Sequence, residues 1–202
     1  MSFGKIPASA SEQGTPIIAN RRNDRKNLSP DTHCPRLFYA LWPDAATRAA
    51  LAAWQARLEG KPVRTDKLHL TLAFLGQRPA SDLPALLDIL AHTPAHPMPL
   101  LFDHASHFPK LALAWAALAQ PSPALLDLRA ACMQHLAEQG LAPRFEHDRF
   151  TPHVTLARHA PPPAIGDFAP IAWQADELVL VESLKSSGDY RILASRKLIH
   201  AA

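Results

Sequence analysis

Cysteines and long apolar runs are scarce in this 202-residue sequence, and each scarcity excludes a class of protein. Only Cys34 and Cys132 are present, so a disulfide-rich secreted scaffold is not expected and a reducing cytoplasm fits. No run approaches the ~18 uncharged apolar residues that a membrane-spanning helix needs. Residues 1–26 contain no continuous apolar segment of the kind found in secretory signals. We therefore expect a cytoplasmic protein that does not enter a membrane.

Charged residues make up 19% of the chain, and most of the net charge of +3 lies near the N-terminus. Residues 1–35 hold five basic and three acidic side chains, few large apolar residues and no periodicity. This composition predicts a disordered basic tail, followed by one domain at 36–202. Because that domain is nearly neutral, total charge is weak support for a nucleic-acid partner, although a local positive cleft is compatible with it.

Hydrophobic periodicity predicts helices and strands in the order βαβα ββα βββ. The predicted helices are 44–58, 81–92 and 123–140. The predicted strands are 36–42, 67–76, 98–108, 111–119, 151–158, 173–184 and 190–198, and the last two are expected to form a hairpin. Each half offers helices that can cover one face of a small sheet. We expect an α+β domain of two similar lobes.

One tetrapeptide pattern occurs in both halves of the chain. HLTL at 69–72 recurs as HVTL at 153–156, which is 84 positions later. Because side chains alternate along a strand, the His and Thr of each copy point to one face and the two apolar residues point to the other. If the lobes meet so that these polar faces oppose each other, the cleft between them holds two imidazoles and two hydroxyls. These belong to His69, Thr71, His153 and Thr155.

Two imidazoles and two hydroxyls suit the hydrolysis of a cyclic phosphodiester. Attack on phosphorus needs a base to take a proton from water and an acid to protonate the leaving oxygen. Imidazole has an unperturbed pKa of about 6.5, so one histidine can be neutral while the other is protonated. Threonine hydroxyls can donate hydrogen bonds to the non-bridging phosphate oxygens. The residues alone predict an acid and a base without assigning the two roles.

The paired tetrapeptides resemble the signature of the two-histidine phosphoesterase superfamily. The chain is most similar to its bacterial RNA 2′,3′-cyclic phosphodiesterases, once described as 2′–5′ RNA ligases. The resemblance spans about residues 36–198 and includes RLFYALWP, LHLTLAFLGQ, RFTPHVTLAR and LVLVESLKSSGDYRIL. It implies a bilobal α+β fold, in which two pseudo-symmetric lobes with antiparallel sheets surround a central cleft, and no cofactor. It also implies that the cyclic end of RNA is opened to a 2′-phosphate, with His69 as proton donor and His153 as proton acceptor.

Three further residues are candidates for binding the RNA end. Arg158 lies five residues after His153, where this family often carries Arg. Strict alternation points Arg158 away from the His153 face, unless the strand ends or bulges there. Phe74 and Tyr190 are candidates for stacking on a base, and ordinary sheet core is the alternative for both. Arg196 stands where many relatives have an aromatic residue, so we assign no stacking role there.

Metal binding has little support in the sequence. Neither tetrapeptide offers the His, Cys and carboxylate set of a zinc site. His104 and His107 are spaced like metal ligands but lack partner residues, so we expect exposed polar side chains there. Pro94 separates His92 from His96 and prevents their presentation on one helix.

Three other functions stay open beside the cyclic phosphodiesterase. One is reversible 2′–5′ RNA ligation, or cleavage of such linkages, by the same two histidines. Another is a non-catalytic module that binds RNA ends or nucleotides, and the third is hydrolysis of small cyclic nucleotides. The sequence has no P-loop, GxGxxG motif or nucleophile elbow, so nucleotide-triphosphate and dinucleotide functions have no support. We expect the protein to act as a monomer.

Overall fold

The predicted alternation of helices and strands is observed in the computed structural model, which describes residues 34–118, 120–143, 150–164, 168–185 and 187–199. The helices are α1 (Ala45–Gln55), α2 (Leu83–His92) and α3 (Pro123–Glu138). The strands are β1 (Arg36–Leu41), β2 (Lys61–Pro62), β3 (Leu70–Gln77), β4 (Met98–Phe108), β5 (Leu113–Leu118), β6 (His153–Arg158), β7 (Ile171–Ala175), β8 (Glu177–Ser183) and β9 (Tyr190–Lys197). The predicted N-terminal tail lies outside the described residues, apart from Cys34 and Pro35.

Local side-chain chemistry explains where two of the helices begin. The Asp44 carboxylate accepts a hydrogen bond of 2.7 Å from the Thr47 amide at the start of α1. The Ser122 hydroxyl accepts one of 3.2 Å from the Leu125 amide at the start of α3, whose first turn also contains a proline. All three predicted helices are present, and each is shorter than its predicted range.

The prediction of one strand at 173–184 was wrong, because the chain forms β7 and β8 on either side of Asp176. β7 alternates buried and exposed residues, whereas β8 is buried almost throughout. That change of pattern is the signal of two strands with different surroundings. β2, which has only two residues, was not predicted.

The described strands form one antiparallel sheet in the order β7, β4, β5, β6, β3, β1, β8 and β9, with β2 paired to β6. The sheet consists of two four-stranded halves that meet where Leu70 of β3 pairs with Val154 of β6. The predicted α+β fold of two similar lobes with antiparallel sheets is therefore confirmed. The two halves of the sheet join edge to edge through β3 and β6.

Helices cover one face of this sheet. α1 contacts β6 and β7, α2 contacts β8 and β9, and α3 contacts β3. Leu51 of α1, Leu86 of α2 and Leu136 of α3 are fully buried in the main core on that face. The apolar residues of both tetrapeptides point into this core, so their polar residues lie on the opposite face. None of the described helices is long and apolar enough to cross a membrane.

Candidate active site

The two tetrapeptides are related by local two-fold symmetry. The residues that pair between β3 and β6 are Leu70 and Val154, each of which directly follows its histidine. This antiparallel register places His69 opposite Thr155 and Thr71 opposite His153. Residues on the diagonal of such a square have Cβ atoms about 7–8 Å apart. The structure thus brings together the four residues that the sequence singled out.

Both imidazoles are oriented by backbone carbonyls two residues earlier in the chain. His69 Nδ1 lies 2.7 Å from the Lys67 carbonyl oxygen, and His153 Nδ1 lies 2.7 Å from that of Thr151. A carbonyl can only accept, so each Nδ1 carries a proton and donates it. In the neutral ring this leaves a lone pair on Nε2. His69 Nε2 is 3.0 Å from Thr71 Oγ1, whose hydroxyl is the donor in that state.

Aromatic rings enclose His69. Their centroids lie 4.8 Å away for Phe38, 5.7 Å for the stacked Trp42 and 5.4 Å for the edge-on Tyr190. The pKa of His69 is lowered from 6.5 to about 4. Burial is the largest cause, the hydrogen bond to Lys67 opposes it, and the charges of His153 and Arg158 add to the lowering. His69 is therefore neutral at pH 7 in the free protein.

Aromatic rings also surround His153, but they come from different residues. Phe108 and Trp115 approach its ring edge-on, at centroid distances of 5.2 and 5.5 Å. Burial lowers the pKa of His153, and the hydrogen bond to Thr151 opposes this shift. Both histidines therefore favour the neutral state in the free protein. One of them must gain a proton before the pair can act as acid and base.

A bulge in each histidine strand reverses the alternation of its side chains. The pairing of β3 with β1 skips Leu72, and the pairing of β6 with β5 skips Leu156. β3 has a second irregularity at Leu75, which lies beyond Phe74 and does not affect its orientation. One extra residue turns every following side chain to the other face. The two bulges therefore place Phe74 and Arg158 on the face that carries the histidines.

Arg158 does not point away from the site as strict alternation predicts. Burial raises the pKa of Tyr190, and the positive charge of Arg158 opposes that shift. Burial lowers the pKa of His69, and the same charge adds to that shift, so the charge of Arg158 acts on the site face. Phe74, the symmetry counterpart of Arg158, is 57% exposed and so is not sheet core. Tyr190 is half-buried, and its ring meets that of Phe38 edge-on at a centroid distance of 5.2 Å.

Sequence reasoning missed Gln55, which holds the bulge of β6. Gln55 is 8% exposed, and its Nε2 donates to the carbonyls of Val63 at 2.8 Å and of Leu156 at 2.7 Å. The Val63 amide donates to the same Leu156 carbonyl at 2.8 Å. A signal was present, because Gln55 falls on the apolar stripe of the predicted helix, four residues after Leu51. A buried amide there must have polar partners.

A comparison with known protein families identifies the family of this chain. The model of the 2′-5′ RNA ligase superfamily matches residues 42–186, a span that contains both tetrapeptides and both bulges. The chain belongs to the 2′-5′ RNA ligase superfamily. The chain is also similar to curated proteins named RNA 2′,3′-cyclic phosphodiesterase. The Escherichia coli protein of that name is 33% identical over 139 residues, which cover 63% of this chain and 77% of that protein.

Relatives outside E. coli and solved structures agree with this membership. The Thermus thermophilus protein named RNA 2′,3′-cyclic phosphodiesterase is 34% identical over 167 residues, which cover 76% of this chain and 84% of that protein. The crystal structure of E. coli LigT in apo form matches with a TM-score of 0.70 at 29% identity. That match covers 83% of this chain and 99% of LigT.

Arg196 stabilises the fold of this protein and lies away from the histidines. Its Nη1 and Nη2 donate to the carbonyls of Ala91 at 2.5 Å and Thr93 at 2.6 Å. These carbonyls end α2, so the guanidinium caps that helix on the face opposite the site. His104 is 53% exposed as predicted, whereas His107 is partly buried and bonds the Ala160 carbonyl at 2.8 Å. Within the described residues, no three His, Cys, Asp or Glu side chains gather as a metal site would require.

Proposed function

We propose that this protein hydrolyses the 2′,3′-cyclic phosphate end of RNA to a 2′-phosphate by acid–base catalysis between two histidines. The observation that carries the proposal is the symmetric square of His and Thr residues at the junction of β3 and β6. It supplies two imidazole Nε2 atoms and two hydroxyls on one face. The names of the E. coli and T. thermophilus relatives support the same reaction and substrate.

Each residue of the square has a role in this reaction. His153 Nε2 takes a proton from water as the water oxygen bonds to phosphorus. The bond from phosphorus to the 3′ oxygen breaks, and protonated His69 Nε2 gives that oxygen its proton. Thr71 and Thr155 donate hydrogen bonds to the non-bridging oxygens. The assignment of acid and base follows the resemblance to the cyclic phosphodiesterases.

The negative charge of the substrate favours the protonated form of His69, which is the proposed acid. A phosphate anion close to His69 favours the protonated ring and opposes the effect of burial on the pKa. The same phosphate pairs with Arg158, whose charge otherwise disfavours protonation of His69. Binding of the anion therefore produces the donor state that the free protein lacks. Both acid and base are side chains, so the proposed reaction needs no metal ion or cofactor.

The aromatic side of the cleft is the proposed place for the terminal base. Phe74 is exposed on the site face, and Tyr190 lies beside the ring of His69. Stacking on aromatic rings is the usual mode of binding unpaired bases. Both histidines and Arg158 come from one chain, so a monomer has a complete site. Free Cys34 and Cys132 suit a cytoplasmic location, where the proposed RNA substrate is found.

Identification of the product end tests the proposal. A short RNA with a 2′,3′-cyclic phosphate end is incubated with the protein and EDTA, with a second RNA bearing a 5′-hydroxyl as competitor. The expected product is a 2′-phosphate end with no joined RNA. A 2′–5′ joined product would indicate ligation by the same residues. Affinity for the RNA without any product between pH 5 and 9 would indicate a binding module.

A further inference from the structure

A cavity of about 440 Å³ opens directly beside His69, and of its lining residues only Tyr190 has a role in the proposed reaction. Trp42 and Tyr190 line this cavity, and the same two rings contact the imidazole of His69. We call it the Trp42 cavity. Its volume lies in the range of about 300–1,000 Å³ that is typical of small-molecule sites, so it is large enough for one nucleotide.

The charge of the Trp42 cavity is locally positive. Its lining includes three cationic side chains and two carboxylates, namely Arg48, Arg64, Lys67, Asp66 and Asp189. This local excess differs from the nearly neutral balance of the domain as a whole. A cationic, aromatic-lined cavity has the composition of a single-stranded RNA site, where cations hold the backbone and rings stack on bases.

The three cations are engaged to different degrees. Arg64 bonds Asp189 at 2.6 Å and also pairs with Asp66, and Lys67 lies 3.0 Å from Asp189. Arg48 instead donates to the neutral carbonyl of Pro43 at 2.5 Å. Among the described residues, Arg48 is thus the cavity cation that forms no salt bridge with a carboxylate, since its charge reaches the Asp44 carboxylate only at longer range. Its guanidinium is therefore the one most available to an anion.

We propose that the Trp42 cavity binds the nucleotide preceding the cyclic end, so that the enzyme prefers an RNA chain to a cyclic mononucleotide. The phosphodiester that joins this nucleotide to the terminal one lies at Arg48, and the base of this nucleotide lies against Trp42. The inference rests on the proposed function, because the cyclic phosphate must lie between the histidines. It extends that function by adding a second phosphate that the protein recognises.

Salt dependence measures the number of phosphates that the protein contacts. For single strands, the logarithm of affinity falls with the logarithm of salt concentration by about 0.7 per neutralised phosphate. We would compare kcat/KM for cytidine 2′,3′-cyclic phosphate and for a dinucleotide with the same cyclic end. Between 50 and 200 mM salt, roughly the range over which such slopes are defined, the dinucleotide slope should be steeper by about 0.7.

Two substitutions with opposite effects make the test specific. Arg48→Ala should lower the ratio of dinucleotide to mononucleotide kcat/KM about tenfold and remove the extra slope. Asp189→Asn should raise the ratio, because it releases Arg64 and Lys67 toward the phosphate. Arg57→Ala is the matched control, since Arg57 lies over the Phe168 ring on the helix-covered face.

Unchanged ratios and slopes in both Arg48→Ala and Asp189→Asn would overturn the inference. Calorimetric titration with the dinucleotide and mononucleotide 2′-phosphate products separates this result from a failure of the proposed function. If neither cyclic substrate were hydrolysed, the proposed reaction would be refuted. A tighter affinity for the dinucleotide product that depended on Arg48 would still support the Trp42 cavity as an RNA site, and equal affinities would refute it.

Discussion

Replacement of Gln55 by leucine should uncouple Arg158 from the site without unfolding the protein. The Gln55 amide makes two hydrogen bonds, a part-buried one to the Val63 carbonyl and a buried one to the carbonyl of the bulged Leu156. Leucine has a similar size and cannot make either bond. With net values of about 0.5–1.5 kcal/mol each, the two bonds contribute about 1–3 kcal/mol. This is less than the roughly 5–15 kcal/mol by which domains are usually stable, so the variant should fold.

The effect on activity follows from the bulge. If Leu156 returns to regular pairing, alternation carries Arg158 to the opposite face of the sheet. Loss of a charge-assisted hydrogen bond to phosphate costs about 1.5–3 kcal/mol, which corresponds to a fall of about 10- to 150-fold in kcat/KM. Arg158→Ala should show this whole loss. Gln55→Leu should show a substantial part of it.

A double-mutant cycle decides whether Gln55 acts through Arg158. The cycle measures kcat/KM on a short RNA with a 2′,3′-cyclic phosphate end, and urea unfolding of the same proteins gives their stability. Gln55→Leu should reduce activity about tenfold in the wild-type background and hardly at all when Arg158 is already alanine. Gln134→Leu is the matched control, because Gln134 bonds Glu138 at 2.9 Å on the exposed surface of α3. An equal reduction in both backgrounds would refute the reasoning, since Gln55 would then act independently of Arg158.

Three further predictions follow from the histidines and from Arg196. The pKa of His69 is about 4 and that of His153 lies below 6.5, so kcat/KM should be highest at a pH between the two pKa values and should fall above pH 6.5. A profile that still rises at pH 8 would contradict this. The unfolded chain binds more protons than the folded protein between pH 4 and 6.5, so stability should be highest above pH 6.5 and fall toward pH 4. Urea unfolding at pH 5 and 7.5, roughly inside and above that window, should show a weaker pH dependence in His69→Asn than in wild type. Arg196→Ala should lower stability by about 1–3 kcal/mol through loss of the α2 cap and leave kcat unchanged, and a fall in kcat at unchanged stability would contradict its assignment to the fold.

The sequence predicted those features that depend on local pattern. The two HxT copies, the three helices and the closing hairpin of β8 and β9 all follow from periodicity and motif spacing. The antiparallel contact between the two histidine strands completes the square, and it depends on which strand edges meet. That contact joins residues 84 positions apart in the chain, so it is not visible in any single segment.

Features that arise from strand pairing escaped prediction. The bulges at Leu72 and Leu156 consist of ordinary apolar residues, and only the register with β1 and β5 reveals the extra position. For this reason the orientation of Arg158 was not predicted by counting along the strand. The break at Asp176 was missed because a single Asp between two apolar strands is a weak turn signal. The cavity beside Trp42 joins segments that are more than 100 residues apart in sequence, so no local pattern indicates it.

The central claim is that His69 and His153 act as one acid–base unit on a cyclic phosphate. The most direct test is the single-turnover rate of ring opening, with EDTA present, for wild type, His69→Ala, His153→Ala and the double variant. Each single substitution should lower the rate by about 10²–10⁴, and the double variant should be little slower than the single ones because the two groups work together. Near-wild-type rates in either single variant, or a double variant slowed by the product of the two single effects, would contradict the account.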